Sequence, residues 1–289
     1  MKIIDRLKEE RVNISFEIFP PKTNTGYEGV INAAKEMATL SPAFMSVTYG
    51  ASGGTSANTT KIATYIKQEL GIESLAHLTC ASSTKEEVLR VITSLKEANI
   101  ENVLALRGDK PEENILQKEE QYHYASDLVK LLKQEGDFCI GAACYPEGHV
   151  ENEHTIDDLK HLKYKVDCGV DFLTTQMFFD NAVLYKFLYR IREEGIRTPV
   201  VAGIMPVTNG KQIRRICELS GAVLPARFKA IVDKFGETPK AMLQAGVAYA
   251  TDQIIDLLAN GVTNIHVYSM NKPEVALGIM HNLSEIVGK

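Results

Sequence analysis

Eight short apolar or β-branched runs recur along the chain, each followed by a polar turn and a segment of helical period. The runs that read as strands span residues 13–19, 43–49, 75–80, 102–106, 138–145, 172–177, 199–204 and 264–268. Between them, several helical segments stop at a glycine: Gly71, Gly136, Gly169, Gly195 and Gly261. Glycine suits that position because it reaches positive φ without a Cβ clash. Helix starts are marked as well. Thr84-Lys85-Glu86-Glu87 and Thr155-Ile156-Asp157-Asp158 have the spacing of capping boxes, the second with Asp for Glu, and Thr238-Pro239 sets a capping residue before a first-turn proline. Val88, Ile92 and Leu95 fall on one face of the third such helix.

Strict strand–helix alternation implies a parallel sheet with right-handed crossovers. An open doubly wound sheet usually stops at about five or six strands, whereas eight repeats fit a closed (β/α)8 TIM barrel, α/β in class. The expectation is one domain over residues 1–289. The gap between Ile204 and Asn264 is too long for one crossover, and helical patterns at 209–219, 225–235 and 239–259 predict extra helices between strands seven and eight.

Composition narrows the function. The net charge is −5, and no basic stripe marks a nucleic-acid face. Five cysteines, odd in number and without CxxC spacing, read as reduced thiols rather than a disulfide framework or a zinc site. His149 and His154 have no partner at metal-ligand spacing, so no metal is expected. The opening residues lack a signal-peptide core and no apolar run approaches about 18 residues, which points to a cytoplasmic protein without a membrane segment.

A barrel of this kind builds its site at the carboxyl ends of the strands. Those exits carry Glu17 before Phe19-Pro20-Pro21, Thr48-Tyr49, His77 with Thr79, and Arg107-Gly108-Asp109. They continue with Tyr145, Glu147 and His149, then Gln176, Met205-Pro206, and Ser269-Met270-Asn271-Lys272. Polar and ionisable residues thus gather at one end of apolar strands. Neither GxGxxG nor GxxxxGK[ST] follows a strand, and Gly50, Gly53 and Gly54 lack the lysine of a phosphate loop, so they read as a mobile loop.

These passages, in order, resemble the methylenetetrahydrofolate reductase family. The match runs through Ser15-Phe16-Glu17-Ile18-Phe19-Pro20-Pro21, Ser46-Val47-Thr48-Tyr49-Gly50, His77-Leu78-Thr79-Cys80 and Ala105-Leu106-Arg107-Gly108-Asp109. It continues through Tyr124-Ala125-Ser126-Asp127-Leu128, Tyr145-Pro146-Glu147-Gly148-His149, Lys165-Val166-Asp167, Thr175-Gln176 and Gly203-Ile204-Met205-Pro206-Val207. The resemblance implies an FAD-dependent oxidoreductase that passes electrons from NADH, or NADPH, to 5,10-methylenetetrahydrofolate and yields 5-methyltetrahydrofolate. It further implies a cytoplasmic homo-oligomer that favours NADH and, since the chain ends with the barrel, has no added regulatory domain.

By the same resemblance Glu17 is the general acid, and its apolar neighbours Phe16, Ile18 and Phe19 suit a carboxyl held protonated by burial. Asp109 resembles the residue beside the flavin that also meets the pterin, although Gly-Asp-Lys-Pro is equally good turn chemistry. Gln176, Gln212 and Lys272 resemble substrate contacts, with lysine at the last position where the family usually has arginine. The flavin contacts implied are Thr48, His77, Arg107, Gly108, Asp109, Ala125, Tyr145, His149, Asp158 and Lys165. His77 also reads as a core histidine, and Asp158 equally as the end of its capping box. Ile216 stands where some members carry a stacking aromatic. Two other readings compete: a folate-binding barrel that transfers a methyl group without flavin, and a flavin-binding subunit that takes electrons from a partner.

Overall fold

The computed structural model describes residues 1–21, 26–49, 56–109, 120–151 and 155–288, apart from the side chains at 56, 57, 155 and 156. The glycine loop at Gly50, Gly53 and Gly54, His154, the Thr155 side chain and the Lys110-Pro111 half of the turn after Asp109 lie outside the described residues.

Eight parallel strands close into a barrel in sequence order: β1 (Asn13–Ile18), β2 (Met45–Val47), β3 (Ser74–Thr79), β4 (Asn102–Leu106), β5 (Cys139–Cys144), β6 (Phe172–Thr175), β7 (Val200–Ile204) and β8 (Asn264–Val267). Seven predicted runs contain their strands, and β3 begins one residue before its run, at Ser74. The excess lies at the ends, most at β2, where only three residues hold the ladder. Closure pairs Asn13 with Asn264 and Ser15 with His266 across β1 and β8.

Strand alternation sorts the side chains. Ile14, Phe16 and Ile18 of β1, Met45 and Val47 of β2, and Ala76 and Leu78 of β3 face outward into the main core under the helices. The opposite parity fills the barrel. Phe44, Leu75, Leu104, Cys139, Phe172 and Val201 form an inner cluster, closed below by Ile3, Ile4 and Leu7 of α1 (Ile3–Leu7). A Cβ on Gly141 would stand 2.6 Å from the Phe172 ring, so glycine there leaves the ring its space inside the barrel.

The outer helices are α2 (Tyr27–Ala38), α3 (Ser56–Gln68), α4 (Lys85–Glu97), α5 (Ala125–Glu135), α6 (Thr155–Asp167) and α7 (Asn181–Glu193). The three expected extras follow as α8 (Gly210–Ser220), α9 (Ala226–Phe235) and α10 (Pro239–Ala259), and α11 (Pro273–Val287) ends the chain. The capping box at α4 is present, with Glu87 N–H on Thr84 Oγ1 at 3.2 Å and Thr84 N–H on Glu87 Oε2 at 2.8 Å. Thr238 is the N-cap of α10 but makes no side-chain cap, a departure from the reading of Thr238-Pro239. Gly71, Gly169, Gly195 and Gly261 have positive φ; Gly136 also ends its helix, as the C-cap of α5, but at φ 171° it is extended backbone and does not use the left-handed conformation.

The extra helices build a satellite core in which Phe179, Phe228 and Tyr249 stack and Met242 and Val232 are buried. Its closest approach is at Gly246 of α10, where a Cβ would fall 1.9 Å from the Val207 carbonyl oxygen. Among the described residues, no helix is long and apolar enough to cross a membrane.

Candidate active site

Glu17 ends β1 on the inward parity and is buried, 6 % exposed. Its Oε2 lies 3.7 Å from Nε2 of His77 on β3 and 4.0 Å from Nε2 of His266 on β8. Burial dominates at all three groups. It pushes the Glu17 carboxyl up to about 8, against a smaller opposing effect of the Ser46 hydroxyl. It pushes both imidazoles down to about 3, with His77 adding to the effect at His266. Desolvation disfavours whichever form is charged, so it raises an acid and lowers a base. The cluster is therefore neutral at neutral pH: a carboxylic acid beside two uncharged imidazoles.

A hydrogen-bonded chain continues below the carboxyl. Ser46 Oγ is 3.0 Å from His266 Nε2, and Ser15 Oγ is 2.8 Å from His266 Nδ1. Ser15 donates to the Ile265 carbonyl at 3.0 Å, so His266 Nδ1 donates to Ser15 and Nε2 accepts from Ser46. The Ser46 oxygen is then free to accept from the protonated Glu17 carboxyl. The His266 ring is fixed from both sides, by Phe44 stacked at 5.5 Å and the Tyr268 ring edge at 5.4 Å. Tyr268 in turn donates to the Thr175 carbonyl at 2.6 Å, across the position where Gly203 has no side chain. His266, Ser15, Ser46 and Tyr268 have no role in the sequence reading. The signal was present in the alternation Asn13-x-Ser15-x-Glu17 and Asn264-x-His266-x-Tyr268, polar at every inward position of two apolar strands.

The remaining candidates line the same end of the barrel. Thr48, just beyond β2, is half-buried, and its carbonyl accepts from Thr59 at 2.9 Å. Arg107, Gly108 and Asp109 leave β4. Gly108 has φ 82°, and a Cβ there would meet the Thr79 side chain at 2.9 Å, so this turn exposes backbone rather than side chain. Asp109 is exposed. Ala125 opens α5, with Asp127 accepting the Tyr124 and His123 N–H groups at 3.1 Å each. Beyond β5, the Tyr145 and His149 rings meet edge to face at 4.6 Å, and His149 N–H donates to Asp158 Oδ2 at 2.5 Å. Lys165 Nζ donates to the Ala143 carbonyl at 2.7 Å, and burial lowers its pKa. Gln176 Oε1 accepts its neighbour's N–H, Met177, at 2.9 Å, which fixes the amide and leaves its NH2 as donor.

On the α8 side the grouping is looser. Gln212 is exposed in the first turn of α8, and Lys272, the N-cap of α11, donates to Thr208 Oγ1 at 2.7 Å. Ile216 is half-buried and packs on the satellite core. The segment after α8 lies against the β5 exit, with Val223 N–H donating to the Glu147 carboxyl at 3.1 Å. A small gap of about 160 Å³ remains there, lined by Tyr145, Gln176, Met177, Ser220 and Ala222 among others. A larger, open pocket sits outside the mouth, between α4 and α5 at Lys85, Tyr122, His123 and Lys130, and none of the strand-exit candidates lines it.

Arg107 at the mouth has the chemistry to hold a phosphoryl group. The Arg107 fork already holds a two-oxygen anion, the Glu151 carboxylate, at 2.8 and 2.6 Å. A guanidinium in that geometry takes a carboxylate or a phosphoryl group alike. Among the described residues no group of three or more His, Cys, Asp or Glu side chains could hold a metal ion.

Residues 2–284 match the family model described as Methylenetetrahydrofolate reductase. The chain is 36% identical over 273 residues to the 5,10-methylenetetrahydrofolate reductase of Pectobacterium carotovorum, covering 94% of this chain and 90% of that protein. It is equally similar to that of Escherichia coli K12, at 36% over 94% of this chain and 91% of the other. An Arabidopsis thaliana relative, Methylenetetrahydrofolate reductase (NADH) 1, is 34% identical over 99% of this chain, which spans only 51% of the plant protein. Among solved structures, a Clostridium thermocellum protein that binds two copies of 5-methyl-5,6,7,8-tetrahydrofolic acid shares the fold, with TM-score 0.64, 15% identity and 98% of each chain covered.

Proposed function

The chain belongs to the methylenetetrahydrofolate reductase family, and from that premise we propose that it reduces 5,10-methylenetetrahydrofolate to 5-methyltetrahydrofolate with electrons from NADH, or NADPH, by way of FAD. FAD, when bound, supplies the two-electron carrier between nicotinamide and folate. The rest is asked of the chain's own residues.

The observation that carries this reading is Glu17. Opening the folate's five-membered ring releases a nitrogen that must be protonated as it leaves. A donor for that step must keep its proton at neutral pH and lie where the ring can reach it. Glu17 stands at a strand exit with its pKa raised to about 8 by burial. His77 and His266 are uncharged and give no cation to stabilise the carboxylate. Gln176, its amide fixed by the Met177 N–H, is the proposed reader of the pterin edge, and Asp109 orients the same ring. Gln212 and Lys272 complete the folate contacts.

Arg107 and Lys165 offset the diphosphate charge, and Asp158 is suited to ribose hydroxyls. Thr48, His77, Gly108, Ala125, Tyr145 and His149 line the remainder of the cofactor's path. NADH preference, a cytoplasmic setting and homo-oligomeric assembly belong to the same proposal.

The test is the visible spectrum of the purified protein, followed by anaerobic half-reactions. A yellow protein should release FAD, bleach with NADH and recover its colour with methylenetetrahydrofolate. A colourless protein that cannot be reconstituted, one that releases only FMN, or a reduced flavin that folate does not reoxidise would each refute it.

A further inference from the structure

The Arg107 guanidinium, the proposed diphosphate ligand, is engaged by another residue of its own chain. Its Nη1 and Nη2 donate to Oε2 and Oε1 of Glu151 at 2.8 and 2.6 Å, and its Nε donates to the Gly108 carbonyl at 3.3 Å. This is a fork-on-fork pair, the strongest geometry open to the two side chains. It is also partly shielded, with the Arg107 side chain 24% exposed and that of Glu151 38%. The carboxylate holds the guanidinium pKa above its usual value.

Glu151 is held in place by the turn it ends. Its N–H donates to His149 Nδ1 at 3.1 Å, and His149 N–H donates to Asp158 at 2.5 Å. The Tyr145 ring braces His149. Three residues read as cofactor contacts thus form the support that delivers Glu151 to the fork. The other carboxylate of this turn, Glu147, turns away to the Val223 N–H. The turn itself is tied through backbone N–H groups, so it can keep its place when the Glu151 side chain turns from Arg107.

We propose that Glu151 is an internal stand-in for the cofactor's diphosphate: it occupies the Arg107 fork until FAD displaces it, and so sets how tightly FAD binds. The proposal rests on the FAD reading above. One fork cannot pair with both anions. The incoming diphosphate brings more charge than a carboxylate and so prevails, but binding must first break the Arg107–Glu151 pair and then hold two phosphates near a displaced negative charge. Both costs are mainly electrostatic, and both fall when Glu151 loses its charge. Until FAD arrives, the pair keeps a half-buried cation partnered and its fork aimed.

The experiment is titration of FAD into the flavin-stripped full chain, read by quenching of flavin fluorescence, with riboflavin as the phosphate-free probe. Glu151→Gln keeps the shape and removes the charge, and it should tighten FAD binding about three- to tenfold, given the modest worth of a partly exposed pair. Glu151→Ala should do at least as much. Riboflavin affinity should be the same in all three proteins. The advantage of the variants for FAD should narrow in 1 M salt, where the screening length falls to about 3 Å. Unchanged or weakened FAD binding in Glu151→Gln would overturn the proposal, as would equal tightening of riboflavin, which would make the effect steric. If the wild-type chain binds no flavin, the FAD reading itself falls and takes this inference with it. A wild type that binds FAD with no response to Glu151 removes only the inference.

Discussion

Nε2 of His77 and Oε2 of Glu17 are 3.7 Å apart, within ion-pair distance, yet at neutral pH neither group carries a charge. Burial acts on the two in opposite senses. It holds the proton on the carboxyl and keeps it off the imidazole, because each charged form would leave water for the barrel interior. The result is a carboxylic acid held ready to donate, rather than a carboxylate neutralised by a cation.

Glu17→Gln preserves shape and removes the transferable proton. Reduction of the flavin by NADH should be unaffected, while folate reduction falls by about 10²–10⁴, the usual worth of a positioned acid. Stopped-flow measurement of the two half-reactions separates them. Equal loss in both would assign Glu17 a structural role.

The pH profile should carry the same signature. The acid form of Glu17 is lost as pH rises through about 8, so folate reduction should be level below that value and fall above it. When Glu17 ionises, the Ser46 hydroxyl turns from His266 Nε2 to donate to the carboxylate, a charge-assisted bond that lowers the Glu17 pKa. Ser46→Ala should therefore move the alkaline limb to higher pH. It should also destabilise the fold by about 1–3 kcal/mol, since His266 Nε2 loses its partner. An unmoved limb would show that Ser46 does not act on the titrating group.

Stability should depend on pH in a narrow, assignable way. The folded pKa of Glu17, about 8, lies above its ordinary 4.5, so its contribution is full below 4.5, declines as pH rises, and is wholly lost above about 8. His77 and His266 run the other way. Their folded values near 3 lie below 6.5, so their contribution is lost as pH falls from 6.5 through 3 and is complete above 6.5. Between pH 6.5 and 8 only Glu17 among these three changes the balance. Thermal midpoints of the wild type should fall across that interval, and those of Glu17→Gln should not. Parallel curves for the two proteins would contradict the assignment.

Gly246→Ala should cost about 1–3 kcal/mol or more, because the added methyl would meet the Val207 carbonyl, backbone that cannot rotate away. Denaturant titration should show a lower midpoint with an unchanged slope. Wild-type stability would mean that α10 shifts freely against the β7 exit.

Local order determined much of this protein in advance. The alternation of apolar runs and helical segments specified eight strands, a barrel and three extra helices, since strand and helix periods are properties of short stretches of chain. Parallel strands put Glu17, His77, Arg107, Tyr145 and Gln176 at one end, because each lies at or near its strand's carboxyl terminus. The five-residue α1 escaped notice because so short a helix shows no periodicity, and it forms only by packing Ile3, Ile4 and Leu7 under the barrel.

Closure decided what parity could not. Which inward residues become neighbours depends on strand pairing and register, and the β1–β8 seam sets Ser15 against His266 across 251 positions of sequence. The pairing of Arg107 with Glu151 likewise depends on how the turn after β5 folds back over β4. Most of all, a pKa belongs to an environment and not to a residue type. Phe16, Ile18 and Phe19 made burial of Glu17 foreseeable, but only the closed barrel removes the water that would otherwise ionise it.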